Sequence, residues 1–353
     1  MANETTATLV ANLGHGTNTV EVFHKQARGT SGLGSVVAVK EVPKGQASSQ
    51  ISLLAANSGS VSSYSEAGSA ASNTALGSVT AATLTPASVV ICRAPTDHAG
   101  NRVDPSLIDL ASYLQEESVW NHEDYIAQEL VNLFDNFTAI GGTAGADLVP
   151  TAAISAYLTL CSQVAGSPDV IWTVNKKGAA DLSTYMWQSN SPSVTNPRVA
   201  EVIDLIGMAE MNTGSYLMTL HNKIHVYELP ASVSLPTDSG DDISAMFVPY
   251  LPGLNGVPLP AGMEARFSAL ASELPGKKPL APGLAVAFRS DPVPLSRRMS
   301  TDVVEAEVLG GIPVVHLGRA YSGQGLAQID TWASMAALIV SADSGIGVRY
   351  SST

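Results

Sequence analysis

The sequence predicts an α+β fold, and three features of its patterning carry that prediction. Several stretches place apolar residues at helical spacing, several short runs are rich in β-branched residues, and the two kinds are mixed without regular βαβ alternation. At 353 residues the chain is long enough for one large domain or two.

Residues 1–34 alternate Thr, Asn, Gly and Val with little periodicity and read as an N-terminal arm. "GSVVAVKEV" then clusters β-branched residues between Gly34 and Pro43, the signature of a strand. The stretch Gln46–Val89 holds 44 residues and one charged side chain, Glu66. A disordered linker would carry more charge and fewer apolar residues than Leu53, Leu54, Val61, Tyr64, Leu76 and Val79 supply. Its Ser, Ala and Gly content, in turn, leaves too little apolar area to repay ordering in a core of its own. The segment is therefore expected to reach out and pack on something else. Residues 35–93 read as a strand plus this extended loop, with "SVVICRA" as the returning strand.

Residues 94–145 turn helical. A short helix over "DPSLIDLASYLQEES" precedes a long one in "NHEDYIAQELVNLFDNFTAIGG", where Ile126, Leu130, Leu133, Phe134 and Phe137 fall on one face. Asn121 is the expected cap and Gly141-Gly142 the stop. Residues 146–282 open with a helix in "PTAAISAYLTLCSQVAG", capped by Thr151, with Ile154, Tyr157, Leu158 and Cys161 as its apolar face. "DVIWTVN" follows as a buried strand, and "NPRVAEVIDLIGMAEM" as a helix with Asn196 as cap and Pro197 at its first position. Further strands are expected at "KIHVYEL", "ISAMFV", "GLAVAFR", "DVVEAEV" and "IPVVHLG". Nine of the 20 prolines lie between Pro249 and Pro294, so this Pro-rich part reads as an insertion of loops around a short "MEARFSALASE" helix. Residues 283–353 supply the closing strands.

The search for chemistry finds no phosphate-cradle, dinucleotide, zincin or nucleophile-elbow motif. A hydrolase using Ser and His far apart in sequence would rest on no motif; the chain is read as a non-enzyme, without cofactor or metal. His221 and His225 at fourfold spacing share a face but have no third ligand nearby, and read as a structural pair. Asp238, Asp241 and Asp242 in "DSGDD" lack calcium-loop spacing and read as a solvated loop. Cys92 and Cys161 lie in apolar surroundings and read as buried free thiols. The formal charge is −13 and the basic residues are scattered, which argues against tight nucleic-acid binding. No window approaches the roughly 18 apolar residues needed to span a bilayer. Glu4 stands where a signal peptide would carry positive charge, so synthesis is expected in the cytoplasm of the producing cell.

The order of parts resembles the major capsid protein of tailed bacteriophages, the Hong Kong ninety-seven-like fold. "SYSEAGSAASNTALGSVTAATLTPASVVICRA" is similar to the family's extended loop with its glutamate, here Glu66, and returning strand. "DPSLIDLASYLQEESVWNHEDYIAQELVNLF" looks like the approach to the spine helix of the peripheral domain and the helix itself. "AISAYLTLCSQVAGSPDVIWTVNKKGAADLSTYM" is similar to the helix, strand and helix of the axial domain. The resemblance spans roughly residues 34–318.

The resemblance implies a virion shell subunit, made in the host bacterial cytoplasm, that self-assembles as pentamers and hexamers into an icosahedral shell around DNA without sequence-specific binding. Its loop residues Leu53, Leu54, Val61, Tyr64, Glu66, Leu76 and Val79 would lie across a neighbouring subunit. A portal and a separate scaffolding protein are expected, decoration proteins can join them, and no membrane is involved. Some family members cross-link subunits through a loop lysine, but no lysine occurs between Lys44 and Lys176, so the shell is expected to be held non-covalently. An encapsulin, a cellular compartment with the same fold, is the alternative.

Overall fold

Two β-sheets, a separate two-stranded ladder and three helices organise the described part of the computed structural model, which covers residues 33, 37–43, 45–54, 79–93, 110–164, 167–189, 215–249, 283–293, 303–309, 312–321 and 326–352. The first half runs β1 (Ala38–Glu41), β2 (Ser49–Leu54), β3 (Val79–Leu84), β4 (Ala87–Arg93), α1 (Leu110–Val131), β5 (Ile140–Gly142), α2 (Pro150–Val164), β6 (Val170–Val174) and α3 (Lys176–Ser189). The second half is almost all strand: β7 (Ser215–Leu220), β8 (Ile224–Glu228), β9 (Thr237–Asp238), β10 (Asp241–Phe247), β11 (Leu284–Phe288), β12 (Val303–Leu309), β13 (Ile312–Tyr321), β14 (Leu326–Ile339) and β15 (Gly345–Ser351). The expected helices over 196–211 and 263–273, and most of the arm, lie outside the described residues.

The six-stranded sheet is ordered β1-β11-β14-β13-β12, with β4 also on β14. Its organiser is β14, whose 14 residues serve three partners along their length: β13 through Leu326–Trp332, β4 through Ile329–Met335 and β11 through Met335–Ile339. Strand β14 is not among the strands that the sequence predicts. Residues Asp330–Met335 are buried continuously, so both faces of the strand are covered and no apolar-polar alternation marks it. The segment 283–353 supplies strands to both sheets, because β11 to β14 close this one while β15 enters the other.

The seven-stranded sheet is ordered β5-β15-β10-β6-β8-β7, with β9 hairpinned onto β10. Strand β6, read as buried from "DVIWTVN", is buried at every position. The chain's last strand, β15, runs between β5 and β10, antiparallel to β10 and parallel to β5. One apolar cluster joins the sheets: Leu130 and Phe134 from the α1 region, Val286 and Met335 from the six-stranded sheet, and Trp172 and Ile346 from the seven-stranded one.

Two helix assignments need correction. The short and long helices expected between residues 105 and 140 are one helix, α1, and Asn121 lies inside it rather than capping it. No Gly or Pro interrupts Leu110–Val131, and an interior Asn costs only about 0.7 kcal/mol relative to alanine, so packing carries the helix through. It ends earlier than the apolar spacing suggested. Leu133 sits in the turn, Phe134–Asn136 form a 3-10 turn, and Phe137 is extended at φ −69° and ψ 151°. Leu133, Phe134 and Phe137 are therefore not on the helix, although Phe134 and Phe137 are buried and Leu133 packs partly buried against the same cluster. Gly141-Gly142 do not stop a helix either; they form β5 beside β15. Gly142 has φ +89°, and a Cβ there would meet the Arg349 carbonyl oxygen at 2.2 Å, so the strand pairing itself demands glycine.

In α2 the cap falls at Val149, not Thr151, since Pro150 fills the first helical position, where its missing N–H costs nothing. The buried stripe is Ala153, Ala156, Tyr157 and Leu160, and Leu158 is exposed. The sheet selects the alanines because β5 comes very close: a Cβ on Gly141 would lie 3.0 Å from that of Ala156.

Candidate functional site

The ladder β2-β3 is the base of the weakly charged loop. The strands pair antiparallel from Ser49↔Leu84 to Leu54↔Val79, so the loop leaves the body as a two-stranded ribbon. Of the expected contact residues, Leu53 and Leu54 lie on β2 and Val79 on β3. Val61, Tyr64, Glu66 and Leu76 lie outside the described residues. The loop closes earlier than residue 89, because Ala87–Val89 already belong to β4, whose register on β14 runs from Ala87↔Met335.

The ribbon is fixed to the body at its root. Leu84, 1 % exposed, joins Val42 and Ala287 in a small apolar cluster, with Leu338 packed against it. Lys40 Nζ donates to the Gln50 carbonyl at 2.5 Å, and Arg289 Nη2 donates to the Ala47 carbonyl at 2.8 Å. Ser88 Oγ donates to the Pro292 carbonyl at 2.9 Å and holds the return to β4. Nothing in the sequence marks these anchoring residues. Lone basic residues flanking strands carry no motif, and only the fold brings Arg289 to Ala47.

Below the ribbon, α1 lies against β14 and β4. Ile126, Ala127, Leu130 and Val131 are buried, and Phe134 meets Phe247 with ring centroids 6.2 Å apart. Gln128 ties the end of the helix to the 234 loop. Its Nε2 donates to the Ser234 carbonyl at 2.8 Å, and its Oε1 accepts from the Ser234 N–H at 2.8 Å. Toward the middle of the helix the buried face turns polar. Ser118 Oγ donates to the Leu114 carbonyl at 2.7 Å, and His122, fully buried, places Nε2 3.0 Å from the Thr331 carbonyl. Burial, and then the neighbouring His316, hold the His122 imidazole below the ordinary histidine range, against the raising effect of the Thr331 bond.

The other chemical candidates resolve into structural roles. His221 sits in the β7–β8 turn at φ 52°, near the Tyr157 ring, whereas His225 lies on β8 with Nδ1 3.1 Å from Thr219 Oγ1. They do not share a face. "DSGDD" is the β9–β10 hairpin rather than a solvated loop: Asp241 and Asp242 are buried, and their carboxylates accept from the Gly145 N–H at 3.0 Å and from Asn175 Nδ2 at 2.5 Å. Asn175 Oδ1 also accepts from the Tyr350 hydroxyl and from the Gly178 N–H, both at 2.9 Å, so it caps α3. Asp238 pairs with Arg349. Cys92 and Cys161 are not joined in a disulfide and are only partly buried. Among the described residues no group of three or more His, Cys, Asp or Glu could hold a metal ion.

No family model and no curated protein matches the sequence. Solved structures match nearly the whole chain. The capsid of the cyanophage P-SCSP1u is 10% identical with a TM-score of 0.56, over 98% of this chain and 95% of that one. A structure of Mycobacterium phage Che8 is 16% identical with a TM-score of 0.51, over 94% and 95%. The SrpI encapsulin of Synechococcus elongatus is 9% identical with a TM-score of 0.53, over 96% and 94%. At these identities the likeness establishes the fold alone: an α+β, Hong Kong ninety-seven-like architecture.

Proposed function

We propose that this protein is the major capsid protein of a tailed bacteriophage, assembling through itself into an icosahedral shell that encloses DNA. The observation that carries the reading is the near-complete, reciprocal coverage of the phage capsid structure, with no large part left over on either chain for another activity. In this reading the ribbon β2-β3 and the loop beyond it lie across a neighbouring subunit. The six-stranded sheet with α1 forms the peripheral domain, and the seven-stranded sheet with α2 and α3 the axial domain.

Charge distribution supports self-association. The chain carries −13, so copies repel over most of their surface, yet α2 has no charged residue from Pro150 to Val164. On its outer side Leu158 is 59% exposed, while the Thr159 and Ser162 hydroxyls already donate to carbonyls of their own helix. That surface can lose water at little cost, and it provides a second contact between subunits around a capsomer axis.

Electron microscopy of the purified full chain, expressed alone and together with its neighbouring genes, tests the proposal: closed shells built of pentamers and hexamers are expected. Small soluble oligomers under every condition would count against it. The encapsulin likeness supports a second reading, and the contents separate the two: nuclease-protected DNA indicates a virion, an enclosed protein cargo a compartment. A portal, a scaffolding protein and any decoration protein would appear in the same images and in mass spectra of the particles.

A further inference from the structure

The α1–sheet contact has at its centre a polar cluster whose chemistry the shell reading does not use. His122 from the helix and His316 from β13 both meet a single residue of β14. His122 Nε2 lies 3.0 Å from the Thr331 carbonyl, and His316 Nδ1 lies 2.9 Å from the Thr331 hydroxyl. All three residues are buried, with exposures of 0%, 1% and 0%. A carbonyl only accepts, so the His122 hydrogen is on Nε2 and the lone pair on Nδ1. That Nδ1 is buried with no hydrogen-bond partner among the described residues. A second proton would therefore land where nothing receives it, beside another imidazole and away from water.

We propose that His122, Thr331 and His316 form an acid-sensitive latch that holds α1 on the six-stranded sheet at neutral pH and loosens it on acidification. Ionisable positions occur on each element packed around the cluster. On α1, Glu123 and Asp124 follow His122 along the helix. On β12, Glu305 stands opposite His316 and Glu307 opposite Val314. On β4, Arg93 is two residues from Ile91, the partner of Thr331, and Asp330 and Cys92 occupy the alternate positions of β14 and β4. His122 itself meets a second imidazole, that of His316, which disfavours a proton on it. The sign follows from linkage. The folded form of His122 resists protonation, so the unfolded chain binds more protons, and stability is fully present above the unfolded value of about 6.5 and declines as pH falls below it. The latch is a property of the subunit and holds whether or not the chain builds shells.

Hydrogen exchange of the purified full chain, read by mass spectrometry at about pH 7.5 and about pH 5 and corrected for the intrinsic exchange rate, tests the latch. Peptides within residues 118–131 are expected to lose protection severalfold at the lower pH, while those within 150–164 keep theirs. His122→Gln retains a donor for the Thr331 carbonyl and cannot titrate, so it should remove the loss; His316→Gln should diminish it by removing the second charge. Unchanged protection of 118–131 in the natural chain overturns the proposal. So does a loss that persists undiminished in both variants, and the natural chain alone decides if either variant fails to fold.

Discussion

The helices α1 and α2 each lie on a sheet of this molecule, and they do so by opposite means. Helix α2 meets the β5–β15 edge through Ala153, Ala156, Tyr157 and Leu160, with glycine opposite alanine and a phenol whose hydroxyl donates to the Pro168 carbonyl at 2.8 Å. The contact is close and almost entirely apolar, and it contains no histidine among these residues. Helix α1 is held by apolar burial toward its C-terminal end, at Ile126, Ala127, Leu130 and Val131, and by Leu114 further back; between them its buried face carries Ser118 and His122. An apolar contact keeps its strength when pH changes, whereas a contact built on neutral histidines does not. Two docked helices of one fold can thus differ in what releases them.

The largest expected effect falls on α1. Leu130 is fully buried, so Leu130→Asp places an unpaired carboxylate in the core, costs several kcal/mol and yields insoluble chain, measured as the soluble fraction after expression. Asp135→Asn, at an exposed position of the following turn, should leave solubility unchanged. Next in size is Ala156→Leu. Ala156 is buried so close to β5 that even a Cβ on Gly141 would come within 3.0 Å of its methyl, so overpacking should cost about 1–3 kcal/mol, seen as a melting temperature lowered by the same amount at neutral and mildly acid pH. Tyr157→Phe is smaller again. It deletes the bond to the Pro168 carbonyl and should cost about 1 kcal/mol by the same measurement. Tyr157 also resists ionisation, because burial and then the neighbouring Cys161 push its phenol above the ordinary tyrosine range. The unfolded chain therefore releases that proton first, and the α2 contact weakens only above about pH 10, far from the window that affects α1.

What the sequence made legible follows from how each element is buried. Strand β6 stood out because a five-residue run of apolar and β-branched residues has one plausible use. The ribbon stood out through its scarcity of charge, and the paired stretches Ser49–Leu54 and Val79–Leu84 lie inside it. Strand β14 escaped because it is covered on both faces and contains polar residues, Asp330, Thr331 and Ser334, that only tertiary partners make tolerable. The face of α2 was misread because Leu158 outranks Ala153 and Ala156 in hydrophobicity, whereas the sheet's proximity rewards small side chains. The end of α1 was misplaced for a related reason: Phe134 and Phe137 are core residues at helical spacing, yet the chain delivers them from a 3-10 turn and an extended residue. His122 carried no signal, since its partners are Thr331 and His316, about two hundred residues away in sequence.

The most direct test of the shell reading removes the loop and keeps its root. Leu54 pairs with Val79, so deleting Ser58–Ser78 leaves Ala55, Ala56 and Asn57 as a three-residue connection, a length that closes a hairpin. The anchors at Leu84, Lys40 and Arg289 are untouched. Sedimentation velocity and electron microscopy of the deletion beside the full chain, with circular dichroism to confirm folding, should give closed shells for the full chain and folded but unassembled or misassembled subunits for the deletion. Normal shells from the deleted chain would contradict the assignment of the loop as the contact that joins neighbouring subunits.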